Sequence, residues 1–166
     1  MNRILIICLC VWAFTGCKKE VDSVKQAKEQ ATIDDALIQK YINDNKLDAV
    51  KVQIGRADTT GIWYIITRPG TVATYFTSSS LLTVGYTGRV LTTGTVFTQT
   101  GDFHPSYHLG DMIKGWQLGI ANSKIQKGGA IRLLIASRYA YGPFAQEDIP
   151  ANSVLDFDIE LYDVTN

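Results

Sequence analysis

Acid–base and nucleophilic chemistry finds few footholds in this chain. His104 and His108 are its two histidines, and with Asp102 they form the one combination that suggests a metal site. Four-residue histidine spacing converges on one ion only on a helix, and Pro105 between them opposes a helix, so no metal is expected. Ser78, Ser79, Ser80 and Ser137 lack a nearby histidine to activate them, which leaves serine hydrolysis without foundation. Gly128-Gly129 reads as a turn before a strand, not as a phosphate loop. What recurs instead is a series of aromatic fragments in one order. They are Val84-Gly85-Tyr86-Thr87-Gly88, Gly94-Thr95-Val96-Phe97, Ile113-Lys114-Gly115-Trp116, and Tyr139-Ala140-Tyr141-Gly142 followed by Ile149-Pro150 and Phe157. Each fragment alone is weak, and large aromatics such as Phe97, Trp116 and Phe157 ordinarily serve core packing.

Together, in order and approximate spacing, the fragments resemble the FKBP family of peptidyl-prolyl cis-trans isomerases. The resemblance implies chemistry without a proton transfer or a nucleophile. An X-Pro bond isomerises over a barrier of about 18–20 kcal/mol, taking on the order of tens to hundreds of seconds unassisted. A twisted amide is less polar than a planar one, so a dry apolar cavity fitted to the twisted form lowers that barrier. On the family pattern Trp116 is the floor beneath the proline ring, and Tyr86, Phe97 and Phe157 are the walls. Met112 and Ile113 line one rim, the Ile113 amide donating to a substrate carbonyl. Tyr141 donates its hydroxyl to a second carbonyl, and Ile149 closes the opposite rim. Rapamycin-type macrolides are the implied ligands, proline-containing unfolded or exported polypeptides the implied substrates, and no cofactor is required.

Three departures bear on activity. Active relatives usually carry an aspartate immediately after the Phe97 position, where it orients an arginine and accepts from a ligand; here it is Thr98, with Asp102 a few residues on. The segment before Leu109-Gly110 normally supplies another aromatic, but Pro105 occupies the aligned position and Phe103 is the expected substitute. The loop from Gly142 to Ile149 is slightly shorter than the common form and contains Pro143-Phe144. These changes predict altered or weakened ligand binding and leave room for reduced turnover. The competing reading is a non-enzymatic binding module or chaperone on the same fold.

The N-terminus reads as a processing signal at 1–16, with Arg3 as the basic region, an apolar run from Ile4 to Phe14, and Thr15-Gly16 before the cleavage point. Phe14-Thr15-Gly16-Cys17 resembles the lipobox of bacterial lipoproteins, although an aliphatic residue is more usual at Phe14. Of the three cysteines, Cys8 and Cys10 fall in the removed segment, which leaves Cys17 as a lone thiol that lipid attachment explains and a disulfide framework does not. The expected location is the cell envelope, with the protein tethered to a membrane on its extracytoplasmic side. The 16 basic and 16 acidic residues balance and are scattered, which argues against nucleic acid.

These residues need elements to position them. Lys18–Gln30 reads as a polar spacer, and a helix is expected from Thr32, its cap, to Asn43–Asn45. Its stripe of Ile33, Leu37, Ile38, Tyr41 and Ile42 either packs on the domain or forms a dimerisation or client-binding arm, and packing is preferred. From Gly61 the pattern turns to period two: Ile62, Tyr64 and Ile66; Leu82, Val84 and Tyr86; Ile131, Leu133 and Ile135; and Leu155, Phe157, Ile159 and Leu161 mark four strands. Polar alternates predict a sheet with one face toward water, hence antiparallel. Between the strands, Met112–Asn122 reads as a short helix with Ile113, Trp116 and Ile120 on one side. The expected fold class is α+β, a curved antiparallel β-sheet wrapped around a short α-helix. The expected organisation is signal (1–16), lipidated spacer with N-terminal helix (17–60) and FKBP-like domain (61–166).

Overall fold

The computed structural model describes residues 16–55 and 60–166, with side chains from residue 22 onward in the N-terminal helix. Residues 1–15 of the expected signal segment (1–16) and the Cys17 side chain lie outside the described residues. Among the described residues two α-helices, α1 (Gly16–Asp44) and α2 (Lys114–Ser123), accompany seven strands. These are β1 (Val50–Lys51), β2 (Ile62–Arg68), β3 (Leu81–Val90), β4 (Val96–Gln99), β5 (Ser106–His108), β6 (Ala130–Ile135) and β7 (Leu155–Thr165). They form one antiparallel sheet in the order β1-β2-β6-β7-β3-β4, with β5 also pairing with β3. The expected α+β fold is therefore present, with a second helix on the sheet's other face.

Alternation explains the first face. Leu155, Phe157, Ile159 and Leu161 of β7 are buried beside Leu82 and Val84 of β3 and Ile131, Leu133 and Ile135 of β6. Helix α2 lays Trp116 and Ile120 onto that layer. Two glycines allow the close approach: a Cβ at Gly119 would stand 2.8 Å from Leu133 Cδ2, and one at Gly115 would stand 2.6 Å from Ile135 Cδ1. The helix ends at Lys124, whose φ of 58° is the left-handed conformation of a C-terminal stop.

The opposite face does not meet water throughout, contrary to the expectation from polar alternates. Ile38 and Ile42 of α1 pack there with Leu91, Leu134, Ala136 and Val154. Asp156, one of the supposed outward residues of β7, is buried beneath this layer. It is tolerated because Arg132 forks onto it with Nε and Nη2 each 2.8 Å from a carboxylate oxygen. Arg132 Nη2 also donates to the Tyr41 hydroxyl at 2.7 Å, tying the sheet to α1. Hydrogen bonding to Asp156 holds the guanidinium above its already high pKa, outweighing the opposing effect of burial.

Helix α1 itself starts much earlier than Thr32. It runs for 29 residues, because the Lys, Glu, Gln and Ala of 18–31 are strong helix formers even without an apolar stripe. Thr32 does not cap it: its hydroxyl turns back to the Lys28 carbonyl at 3.1 Å, as an interior threonine does. The expected end is correct, at Asp44. Ile33 is 53% exposed, so the packed stripe is Leu37, Ile38, Tyr41 and Ile42. Among the described residues no helix is long and apolar enough to cross a membrane.

Candidate functional site

Four aromatic rings from four elements meet at one end of the first-face core. Tyr86 comes from β3, Phe97 from β4, Trp116 from the first turn of α2 and Phe157 from β7. Trp116 stands perpendicular to Tyr86, with centroids 5.2 Å apart and planes at 87°, and perpendicular to Phe157 at 5.4 Å and 89°. Phe157 continues to Phe97 at 5.6 Å and 87°. Such edge-to-face pairs set the positive ring edge against the negative face, adding about 0.5–1.5 kcal/mol each beyond area burial. Gly88 makes room, since a Cβ there would lie 2.6 Å from Phe157, 2.8 Å from Phe97 and 2.8 Å from Thr98. Trp116 is only 1% exposed and its indole N–H has no acceptor among the described residues.

A fifth ring escapes the sequence reading. Tyr107, on β5, packs against Tyr86 with centroids 6.4 Å apart. A hydrogen bond with Tyr86, then burial, raises the Tyr107 phenol above its ordinary pKa. Phe103, the expected aromatic substitute, is 72% exposed and does not join the cluster. The reason is register. Pairing Leu82 with Tyr107 fixes β5 against β3, and period two then turns Tyr107 inward while Ser106 and His108 face out. Asp102 is likewise exposed. Thr98 is half-buried opposite Gly88. Each arginine among the described residues already has its own acid: Arg68 with Glu160, Arg89 with Asp158, Arg132 with Asp156 and Arg138 with Asp35. Thr98 therefore replaces the usual aspartate, and no described arginine is left without an acid.

The two rims are held by hydrogen bonds. Met112 and Ile113 pack against the aromatic core just before α2, where Ile113 is the N-cap residue. The Ile113 carbonyl accepts from the Trp116 and Gln117 amides at 3.0 and 3.2 Å. Its own N–H has no acceptor among the described residues. Gln117 Nε2 donates to the Met112 carbonyl at 2.7 Å and to the Gly110 carbonyl at 2.9 Å. In a trans peptide C=O and N–H point in opposite directions, so fixing the Met112 carbonyl on Gln117 aims the Ile113 N–H the other way. On the facing rim, a 3-10 turn at Ser137–Tyr139 leads into Ala140 and Tyr141, both packed on the core. Gly142 turns the chain with a φ of +59°. Ile149 is buried, and its segment closes through Gln146 N–H donating to the Ile149 carbonyl at 2.9 Å.

The histidines do not meet as ligands. His104 stacks on Tyr162 at 3.9 Å, while the His108 ring nitrogen Nδ1 lies 3.0 Å from the Ser79 carbonyl. A cleft of about 480 Å³ lies apart from the four rings, between α1 and the turn, lined by Gln26, Gln30, Arg138, Gly142, Pro143 and Asn152 among others.

An antiparallel sheet packed on a short helix, with aromatic residues from β3, β4, β7 and α2 meeting in its core, defines a class. The family model described as FKBP-type peptidyl-prolyl cis-trans isomerase matches residues 73–162. The chain belongs to that family. It is similar to FK506-binding protein 1 of Saccharomyces cerevisiae, with 41% identity over 101 residues, covering 58% of this chain and 86% of that protein. It is also similar to the FKBP-type peptidyl-prolyl cis-trans isomerase FkpA of Buchnera aphidicola subsp. Schizaphis graminum, with 38% identity over 116 residues, or 65% of this chain and 42% of that one. The crystal structure of FkpA from Escherichia coli superimposes with a TM-score of 0.65 at 28% identity, covering 90% of this chain and 67% of that one. The chain spans about half the length of the curated FkpA relatives it matches, from 42% to 59% of each.

Proposed function

We propose that this chain is an FKBP-type peptidyl-prolyl isomerase that acts on proline-containing segments of exported polypeptides. The observation that carries the reading is the continuous perpendicular stack of Tyr86, Trp116, Phe157 and Phe97, flanked by an Ile113 amide without an internal acceptor. The proline ring rests against Trp116, Tyr86, Phe97 and Phe157 exclude water, and Ile113 N–H and the Tyr141 hydroxyl hold carbonyls on either side. Met112, Thr98 and Ile149 complete the substrate surface. The buried Trp116 face becomes available when a half-buried rim side chain gives way. Dry walls then favour the less polar, twisted amide over the planar one.

The Thr98 corner, without a carboxylate or an available described arginine, favours a second reading: a weakly catalytic module that holds unfolded chains. The test expresses residues 18–166 and follows cis/trans isomerisation of a short peptide with an apolar residue before proline, with and without a rapamycin-type macrolide. Acceleration blocked by the ligand supports the enzyme. A folded protein with no acceleration that still suppresses aggregation of proline-free clients moves the weight to the holding module.

Lipid attachment at Cys17, removal of 1–16 and an envelope location belong to the same proposal. Each buried acyl methylene contributes about 0.8 kcal/mol, so several chains anchor firmly. Labelled fatty acid entering the wild-type protein but not the Cys17→Ala variant is the expected result. On this reading the start of α1, exposed from residue 22 to 29, spans the gap between anchor and domain.

A further inference from the structure

One buried carboxylate takes no part in the chemistry proposed above. Asp34, on α1, is 0% exposed. Its Oδ1 accepts from Gln30 Nε2 at 2.7 Å, and its Oδ2 accepts from the Ser137 amide at 2.9 Å and the Ser137 hydroxyl at 2.6 Å. A carboxylate removed from water is tolerated only when its oxygens are occupied, so this arrangement holds both partners in place.

Ser137 opens the 3-10 turn that leads to Tyr141. An amide at the start of such a turn has no acceptor inside it, and Asp34 supplies one from a distant part of the chain. The other side of Ser137 faces Tyr141: its carbonyl accepts from the Ala140 amide at 2.9 Å and the Gly142 amide at 2.8 Å. Those two residues flank Tyr141. A single residue thus connects the buried carboxylate of α1 to both peptide neighbours of the rim tyrosine. Next to it, Arg138 Nη2 donates to Asp35 at 2.8 and 3.1 Å and Nη1 donates to the Ala31 carbonyl at 3.3 Å, a second fastening of the same turn to the same helix. Gly61 leaves space for this fastening, since a Cβ there would stand 2.6 Å from Arg138 Nη2.

We propose that Asp34 is a positioning residue for Tyr141, which makes α1 part of the isomerase site rather than only a spacer. The carboxylate sets the turn, and the turn sets where the Tyr141 hydroxyl meets a substrate carbonyl. The proposal rests on the function argued above for the role of Tyr141.

The experiment compares wild type, Asp34→Asn, Tyr141→Phe and the double variant in the full chain, measuring kcat and KM on a short proline peptide and backbone amide NMR. Removing the hydroxyl leaves nothing for Asp34 to aim. Each single change is therefore expected to lower kcat/KM by about tenfold and the double by about the same, where independent effects would multiply to about a hundredfold. The amide signals of Ala140, Tyr141 and Gly142 move in Asp34→Asn while those of Phe97 and Phe157 stay. Multiplying losses, an unchanged kcat/KM in folded Asp34→Asn, or unmoved 140–142 signals would overturn the proposal. If Asp34→Asn does not fold, Ser137→Ala, which removes only the hydroxyl donor, is expected to give a smaller loss in the same direction, and no loss counts against it. If wild type shows no isomerase activity, the function proposed above fails, and the NMR comparison alone decides whether Asp34 positions the turn.

Discussion

Replacing Gln117 by leucine removes the two hydrogen bonds its Nε2 donates, together with an exposed one that its Oε1 accepts from Lys114 Nζ at 2.8 Å, without emptying its site. Gln117 Nε2 donates at 2.7 and 2.9 Å to the carbonyls of Met112 and Gly110, both in half-buried residues. A net 0.5–1.5 kcal/mol for each bond gives a stability loss of about 1–3 kcal/mol. Partial solvent access to both carbonyls puts the expectation in the lower half of that range, readable as a lower denaturation midpoint with unchanged slope. The larger consequence is functional. Once the Met112 carbonyl is released, the peptide plane can rotate and the Ile113 N–H loses its aim. An N–H that holds a substrate carbonyl similarly in the ground and twisted states contributes uniform binding, so its loss raises KM and leaves kcat nearly unchanged. An increase of about tenfold in KM corresponds to 1.4 kcal/mol, the scale of one such hydrogen bond. Isomerisation of a short proline peptide over a range of concentrations measures both constants. A folded Gln117→Leu protein with unaltered KM would refute the reasoning, and so would one that loses kcat alone.

Four further outcomes follow from the same geometry. Trp116→Leu should abolish most turnover while costing about 2–4 kcal/mol of stability through the cavity left under Tyr86 and Phe157, as thermal unfolding and peptide assays would measure together. Thr98→Asp should raise kcat/KM by no more than about fivefold, or about 1 kcal/mol, the scale of a weakly coupled surface charge, because the described arginines are already paired; a hundredfold gain in the peptide assay would contradict this. Because hydrogen bonding to Tyr86 raises the Tyr107 pKa in the folded state, the pair's contribution to stability is complete below the ordinary tyrosine pKa of about 10 and is lost as pH rises through the higher folded value. Ultraviolet titration of Tyr86→Phe should show Tyr107 ionising at lower pH than in wild type. Ile38→Ala, at a fully buried position of α1, should cost about 2–5 kcal/mol in denaturant unfolding; a neutral effect would mean that α1 is not docked.

The rings were legible in the sequence because each sits where a period-two strand or a short amphipathic helix must bury a large side chain. Tyr86, Phe157 and Trp116 would be in the core whatever the protein did, so periodicity supplied their burial and the resemblance supplied their possible role. The misses share another cause. Tyr107 depends on how β5 registers against β3, the length of α1 on the propensity of a segment without an apolar stripe, and Phe103 on an exposed loop conformation that no spacing rule fixes. Asp34 and Gln117 were harder still. Each is an ordinary polar residue on a helix, and its meaning lies in which backbone group it reaches: Ser137 for Asp34, Met112 for Gln117. Those partners both lie one or a few residues before a rim group, Tyr141 in one case and the Ile113 amide in the other. The walls of this site are thus apolar and set by pattern, whereas its two donors are aimed by polar side chains whose partners only the fold brings together. Two substitutions that leave every aromatic ring in place, Asp34→Asn and Gln117→Leu, should therefore weaken the site from opposite rims, and their losses should multiply because they share no partner.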